Sequence, residues 1–173
     1  MKIEKVVVGE LKENCYVITI DDECLIVDPG SEEDKIIATV GEKKVLGILV
    51  THHHFDHVGA LKPILEKYNT QLYDYNNLKE QEYQIGKFNF EVIFNPGHTI
   101  DSISYYFKQD NALFVGDFIF LETIGRCDLD GGSFIKMQES ISKLKEFDAN
   151  ITLYPGHGLR TTLAHEKENN PYF

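Results

Sequence analysis

The segment LVTHHHFDHVG, residues 49–59, packs four histidines and an aspartate into six positions of a chain that has seven histidines altogether. Imidazole and carboxylate are the ligands that bind zinc and its first-row neighbours, so the segment reads as a metal-binding loop. While a chain stays extended, side chains two apart share a face. His52 and His54 then point together and His53 points away, while Asp56 and His57 fall where the chain turns into the next element. One metal needs three or four ligands, and two neighbouring metals need a bridging group as well. Further candidates each stand at the end of an apolar run: His98 after VIFNPG, Asp117 after ALFVG and His157 after ITLYPG. A glycine before a ligand lets the backbone approach a site closely. Taken singly, Asp117 could cap the next segment, and His98 or His157 could be a hydrogen-bonded turn histidine. Their joint appearance at the ends of separate strands favours metal binding. His165, within LAHEKENN, has no such context and is expected at the surface.

The elements that must hold these residues begin with β-branched runs, IEKVVVG, CYVITI and CLIVDPG, separated by the turn-prone ELKEN and DDE. They predict a meander of strands. SEEDKIIATVGEKK reads as a short helix with Ser31 as N-cap and Gly41 near its end. VLGILVT is a continuous apolar run, as expected of a strand buried on both faces and ending at Thr51. VGALKPILEKY follows as a helix with Pro63 one turn in. FNFEVIF, SISYYF, NALFVG and NITLYPG read as further strands. SFIKMQESISKLKEF carries apolar residues at 134, 137, 141, 144 and 147, a helical stripe. Strands and helices mix throughout, and the early meander does not fit a purely parallel doubly wound sheet. Two stacked sheets with helices outside fit better.

Composition bounds the rest. At 173 residues the chain fits one domain, 1–173, with a sizeable core. A net charge of −11 leaves no basic surplus for a nucleic-acid face. The opening MKIEKVVVGELKENC has charges where a signal peptide needs an apolar core, and no run approaches a membrane span. Cys15, Cys24 and Cys127 are odd in number and lack C-x-x-C spacing, so reduced thiols and a cytoplasmic location are expected.

NCYVI, IVDPG, THHHFDHVGA, NPGHT, VGD, IGRCDLDGG and YPGHG, in this order, resemble the metallo-β-lactamase superfamily. Within it, the likeness is to the short glyoxalase II-like (hydroxyacylglutathione hydrolase-like) proteins. The resemblance implies an α/β fold, a four-layer αββα sandwich with a dinuclear site along one edge. By position, His52, His54 and His98 match the first metal's ligands, Asp56, His57 and His157 the second's, and Asp117 the bridging carboxylate. It implies two divalent metal ions, zinc first, with iron or manganese also suited to such ligands. Two cations sharing a water lower its pKa toward neutrality. The implied reaction is therefore hydrolysis of a small-molecule thioester of the S-hydroxyacylglutathione type, with Asp56 also orienting the nucleophile.

Arg126 matches the position of a cationic substrate-binding residue, on a loop expected to overhang the metals and to attract a carboxylate-bearing substrate. Two tyrosines of the pattern are replaced, by Asp128 and Leu159, and the C-terminal helical domain that helps bind glutathione is expected to be absent. The alternative is a persulfide dioxygenase-like oxidoreductase, which uses a single iron. No nucleic-acid or membrane partner is expected, and the sequence leaves the oligomeric state open.

Overall fold

The apolar runs assemble into two β-sheets stacked face to face, in a computed structural model that describes residues 1–173. Strands β1 (Lys2–Val8), β2 (Glu13–Ile20) and β3 (Glu23–Val27) form the expected antiparallel meander. Helix α1 (Glu33–Val40) crosses over to β4 (Lys44–Leu49), which lies parallel to β3. Helices α2 (Phe55–Val58) and α3 (Leu61–Tyr68) lead to β5 (Leu72–Tyr73), parallel to β4. The first sheet thus runs β1-β2-β3-β4-β5. In the second half, β6 (Glu82–Ile85), β7 (Phe88–Phe94), β8 (Ile103–Phe107) and β9 (Ala112–Gly116) pair antiparallel in succession. A small hairpin, β10 (Ile119–Phe120) and β11 (Thr123–Ile124), precedes α4 (Phe134–Leu144). Then β12 (Thr152–Pro155) returns parallel to β9, flanked by β13 (Thr161–Thr162) and followed by α5 (Leu163–Asn169). The second sheet runs β13-β12-β9-β8-β7-β6.

The period-2 alternation of each strand sorts its side chains into layers. Tyr16, Ile18, Leu25, Val27 and Leu49 face the second sheet and meet Phe88, Phe90, Ile103, Tyr105, Phe107 and Phe114. Their neighbours Cys15, Val17, Cys24, Ile26 and Ile48 face the other way, onto Ile36 and Val40 of α1 and Ile64 of α3. On the far side, Leu113, Val115 and Leu153 pack under Met137, Ile141 and Leu144 of α4 and Leu163 of α5. The result is helix, sheet, sheet, helix. No helix is long and apolar enough to cross a membrane.

Three local expectations change. Ser31 does not cap α1: the cap position is Glu32, in the left-handed region at φ 50 with no side-chain cap bond. Its carboxylate is taken instead by the Gly9 N–H at 2.8 Å and Lys35 at 2.7 Å. The helix read from VGALKPILEKY begins only at Leu61, and Pro63 sits in its first turn, where a missing N–H costs no intrahelical bond. Phe134 belongs to the stripe of α4 but is 52% exposed and outside the core under that helix, its ring 6.3 Å from that of Tyr172.

Helix α4 is set against the loop before His98 by a close approach. A Cβ on Gly97 would lie 2.6 Å from Met137 Cα and 2.8 Å from its nitrogen, both backbone atoms that cannot swing aside. Gly97→Ala should destabilise by about 1–3 kcal/mol through overpacking, lowering Tm by roughly 2–10 °C at this chain length. Lys62→Ala, on the exposed face of α3, should shift Tm by no more than about 2 °C. Calorimetry showing equal shifts would mean that α4 is free to move off the loop.

Candidate metal centre

The carboxyl ends of β3, β4, β7, β9 and β12 reach one edge of the sandwich, and each delivers a polar residue there: Asp28, His52, His98, Asp117 and His157. The ends of parallel strands make a natural rim for such groups. His52 Nε2 lies 3.2 Å from His54 Nδ1, which is 2.9 Å from His98 Nε2, so three ligand atoms converge on one point. Beside them, Asp56, His57 and His157 form a second group. His157 Nε2 is 3.2 Å, and His57 Nε2 4.0 Å, from Asp56 Oδ2. Asp117 faces both groups. Its Oδ1 is 3.3 Å from His57 Nε2, and its Oδ2 is 3.6 Å from His98 Nε2 and 3.7 Å from His157 Nε2. Gly116 makes this possible: its φ is +52, and a Cβ there would stand 2.3 Å from Thr51 Oγ1.

A ring of hydrogen bonds behind the cluster decides which histidine nitrogen is free. Asp28 Oδ1 accepts the Thr51 N–H at 2.7 Å. Its Oδ2 accepts the Thr51 hydroxyl at 2.6 Å and His57 Nδ1–H at 3.0 Å. With its hydrogen given to Asp28, the Thr51 oxygen accepts from His52 Nδ1 at 3.1 Å. His98 Nδ1 donates to the Arg126 carbonyl at 2.7 Å, and His157 Nδ1 to the Leu11 carbonyl at 3.1 Å. Four imidazoles therefore turn Nε2 toward the cluster, where it carries the lone pair once the ring is neutral, the arrangement in which outer partners fix the tautomer of metal-binding histidines. His57 Nε2 and Asp117 Oδ1 are buried without a hydrogen-bond partner. Left so, each costs about 1–3 kcal/mol. A cation at each group would satisfy them, and the donor set fits one.

Electrostatics point the same way. Burial, reinforced by the neighbouring imidazoles, drives the His52 pKa well down, and burial together with His98 lowers that of His54. Both are held neutral, the form that ligates. Burial opposes charge on His57, yet the neighbouring Asp117 and Asp28 carboxylates raise its pKa well above the usual histidine range. Burial likewise opposes charge on Asp117, but His57 pulls it below the usual carboxylate range. Beneath them, burial, against the attraction of His57 and with the repulsion of Asp28, Asp117 and Asp56, pushes Glu13 up to about 10. The cluster carries more negative charge than one imidazolium balances.

His53 points away, as its position in an extended chain requires. Its Nδ1 is 2.7 Å from Asp101 Oδ2 and its Nε2 3.0 Å from Asp74 Oδ2, which ties the ligand loop to its neighbours. Arg126 does reach the cleft, which has a volume of about 620 Å³. Its guanidinium, however, is taken in a bidentate pair by Asp128, at 2.7 and 2.8 Å. His165 lies outside the cluster and pairs with Glu122 at 2.9 Å. Next to it, the fully buried Glu166 accepts from the Thr161 hydroxyl, the Glu122 N–H and Asn170 Nδ2, at 2.6, 2.9 and 2.7 Å. It thereby holds the β10–β11 hairpin beside the cleft. Sequence reasoning missed Glu13, Asp28 and Glu166. Asp28 had the same signal as Asp117, an acid closing an apolar run, but Asp-Pro-Gly also reads as a plain turn.

The model of the metallo-β-lactamase superfamily matches residues 8–80 and 72–157, covering most of the chain and all of the cluster. The chain belongs to this superfamily. A probable metallo-hydrolase of Bacillus subtilis, YqgX, is 35% identical, across 99% of this chain and 97% of its own. Hydroxyacylglutathione hydrolase GloC of Haemophilus influenzae is 31% identical, across 99% and 98%. Among solved structures, the B3 metallo-β-lactamase BLEG-1 superposes with a TM-score of 0.95 at 29% identity, covering 99% of each chain. The di-iron-bound form of TTHA1623 superposes at 0.90 with 29% identity, covering 98% of this chain and 100% of that one. The four layers are thus the metallo-β-lactamase fold, as the sequence motifs implied.

If Asp117 spans two cations, elemental analysis of metal-replete protein should give two per chain. Asp117→Ala should retain one or fewer. His165→Ala should keep both. Loss of a cation from the His165 variant, with none lost from the Asp117 variant, would overturn the ligand map. Asp28→Asn, which keeps the shape but loses the charge that holds His57, should weaken the second cation about 10- to 100-fold in a chelator competition.

Proposed function

We propose that this metallo-hydrolase is a dinuclear thioester hydrolase, acting on substrates of the S-hydroxyacylglutathione type. The carrying observation is Asp117, whose two oxygens face two separate histidine groups 3.3 and 3.6 Å away. A single-iron dioxygenase would leave the second group and half of this carboxylate idle. When bound, the two cations supply an activated water and Lewis-acid stabilisation of charge developing on the acyl oxygen. Zinc is the first choice, and iron or manganese suits the same ligands. We assign His52, His54 and His98 to the first cation and Asp56, His57 and His157 to the second. Asp56, half-buried at the cleft wall, would also accept a hydrogen bond from the attacking water and hold it toward the acyl carbon.

The leaving group follows from what the cleft lacks. Its walls consist of ligand histidines and aspartates, Arg126, and the apolar Leu11, Phe55, Phe120 and Leu129. An arginine is not an acid in this pH range, so no side chain outside the ligand groups can protonate a departing atom. A thiolate, with a pKa near 8.5, departs without that help, whereas an amine must be protonated. This favours a thioester over an amide or lactam. The likeness to a hydroxyacylglutathione hydrolase supports the same class. Because all three cysteines are free thiols, the reducing cytoplasm is the setting we propose.

Matched substrates test this. Two-cation protein should hydrolyse an acyl thioester at least about 100-fold faster, in kcat/KM, than the corresponding amide or a β-lactam, within the range that one general acid supplies. Comparable lactam turnover would overturn the reading, as would oxygen consumption by protein holding one iron. Asp56→Asn should lower kcat by about 100- to 1000-fold with a smaller change in KM.

A further inference from the structure

Three exposed apolar side chains stand at the mouth of the metal cleft. Leu11 is 55% exposed, Phe55 75% and Leu129 40%, and all three line the cavity. Large apolar groups exposed together around a concave site mark a surface that something else covers. Leu11 belongs to the turn whose carbonyl holds His157. Phe55 sits between the ligands His54 and Asp56. Leu129 follows the loop whose Arg126 carbonyl holds His98. Apolar surface therefore flanks both ligand groups, and what covers it must approach the reacting centre. Substrate is the occupant this position calls for.

Charge at the mouth points the same way. Arg126 is the one lysine or arginine lining the cleft. The Nε–Nη2 edge of its guanidinium is filled by Asp128, in the two-bond geometry an incoming carboxylate would otherwise take there, and the Asp128 charge offsets that of Arg126. An acidic substrate must either displace a carboxylate tethered two residues away, at a high effective concentration, or share the guanidinium with it against like-charge repulsion. An uncharged substrate displaces nothing.

Resting on the thioester reading, we propose that the cleft mouth selects substrates with uncharged, apolar groups on either side of the scissile bond, and that Asp128 sets this preference by occupying Arg126. Within the thioester class, this keeps the acyl-thioester chemistry of the proposed reaction but revises its thiol carrier: simple fatty-acyl thioesters of a neutral thiol would be preferred to glutathione conjugates.

Two sets of probes separate this inference from the function beneath it. Non-hydrolysable thioethers report binding alone: S-hexyl-N-acetylcysteamine, which is neutral, and S-hexylglutathione, which carries two carboxylates. Calorimetry with the metal-replete protein should find the neutral thioether bound at least fivefold more tightly. Asp128→Ala should shift the ratio of the two dissociation constants toward the glutathione probe by roughly five- to thirtyfold, the value of one charge-assisted pair. The double variant Arg126→Ala/Asp128→Ala should show no such shift. Across N-acetylcysteamine thioesters from acetyl to octanoyl, kcat/KM should climb about two- to fourfold per methylene, and Leu129→Ser together with Phe55→Ser should flatten that climb. Both pairs of residues are solvent-exposed, so these variants keep the fold. Tighter binding of S-hexylglutathione by the unaltered protein, or an Asp128→Ala ratio that does not move, would overturn the proposed selectivity. Thioether selectivity as expected, but with no thioester turned over, would overturn the thioester reading and leave the selectivity of the mouth standing.

Discussion

Asp28 holds a charge under the histidine cluster in a backbone conformation that few residues with a side chain adopt, at φ 48. A left-handed residue of this kind costs about 1–3 kcal/mol, and burial of its carboxylate adds to that. The strain persists because the carboxylate takes three hydrogen bonds, from the Thr51 N–H, the Thr51 hydroxyl and His57. Through these it orients one imidazole of each ligand group: His57 directly, and His52 by way of Thr51. The parallel pairing of β3 with β4 is what brings the two strand ends side by side. The sandwich supplies the stability that offsets the strain, with Ile18, Leu25, Ile26, Ile48 and Leu49 fully buried around it, each contributing about 1.5–3 kcal/mol.

The site is arranged as two shells of opposite character. The inner one is a set of lone pairs and carboxylate oxygens with too little positive charge among them. The outer one is a set of two backbone carbonyls, the Thr51 hydroxyl and one buried acid that fix the imidazoles from behind. Leu11, Arg126 and Thr51 contribute to the outer shell from three different loops, so a shift in any loop would tilt a different ring. Rigidity at the edge of the sandwich is therefore distributed over the loops rather than residing in one of them.

Much of this was legible in the residues. Apolar runs that end in Gly-His or Gly-Asp located His98, Asp117 and His157, because a strand end is where a ligand can be aimed at a common edge. The alternation in CYVITI and the unbroken apolar character of VLGILVT located the inner strands. Other features depend on contacts between distant segments. The cap at Glu32 follows from Gly9, 23 residues away. The one-turn helix α2 carries Asp56 and His57 and has no periodicity to detect. Strands of two residues, such as β5 and β13, are too short to alternate. Arg126 was legible as a cation near the histidine cluster, but its pairing with Asp128 depends on how the loop folds.

Glu166 gives the last helix a reach beyond its own packing. Its carboxylate and Asn170 grip the backbone at Glu122 and Thr123, and these belong to the hairpin whose Phe120 ring stands 6.2 Å from His157. Fraying of α5 would thus release the hairpin in the same opening event, and amide protons in the two segments would exchange with solvent together as one cooperative unit. Breathing at the wall of the cleft is governed by a helix that never touches it.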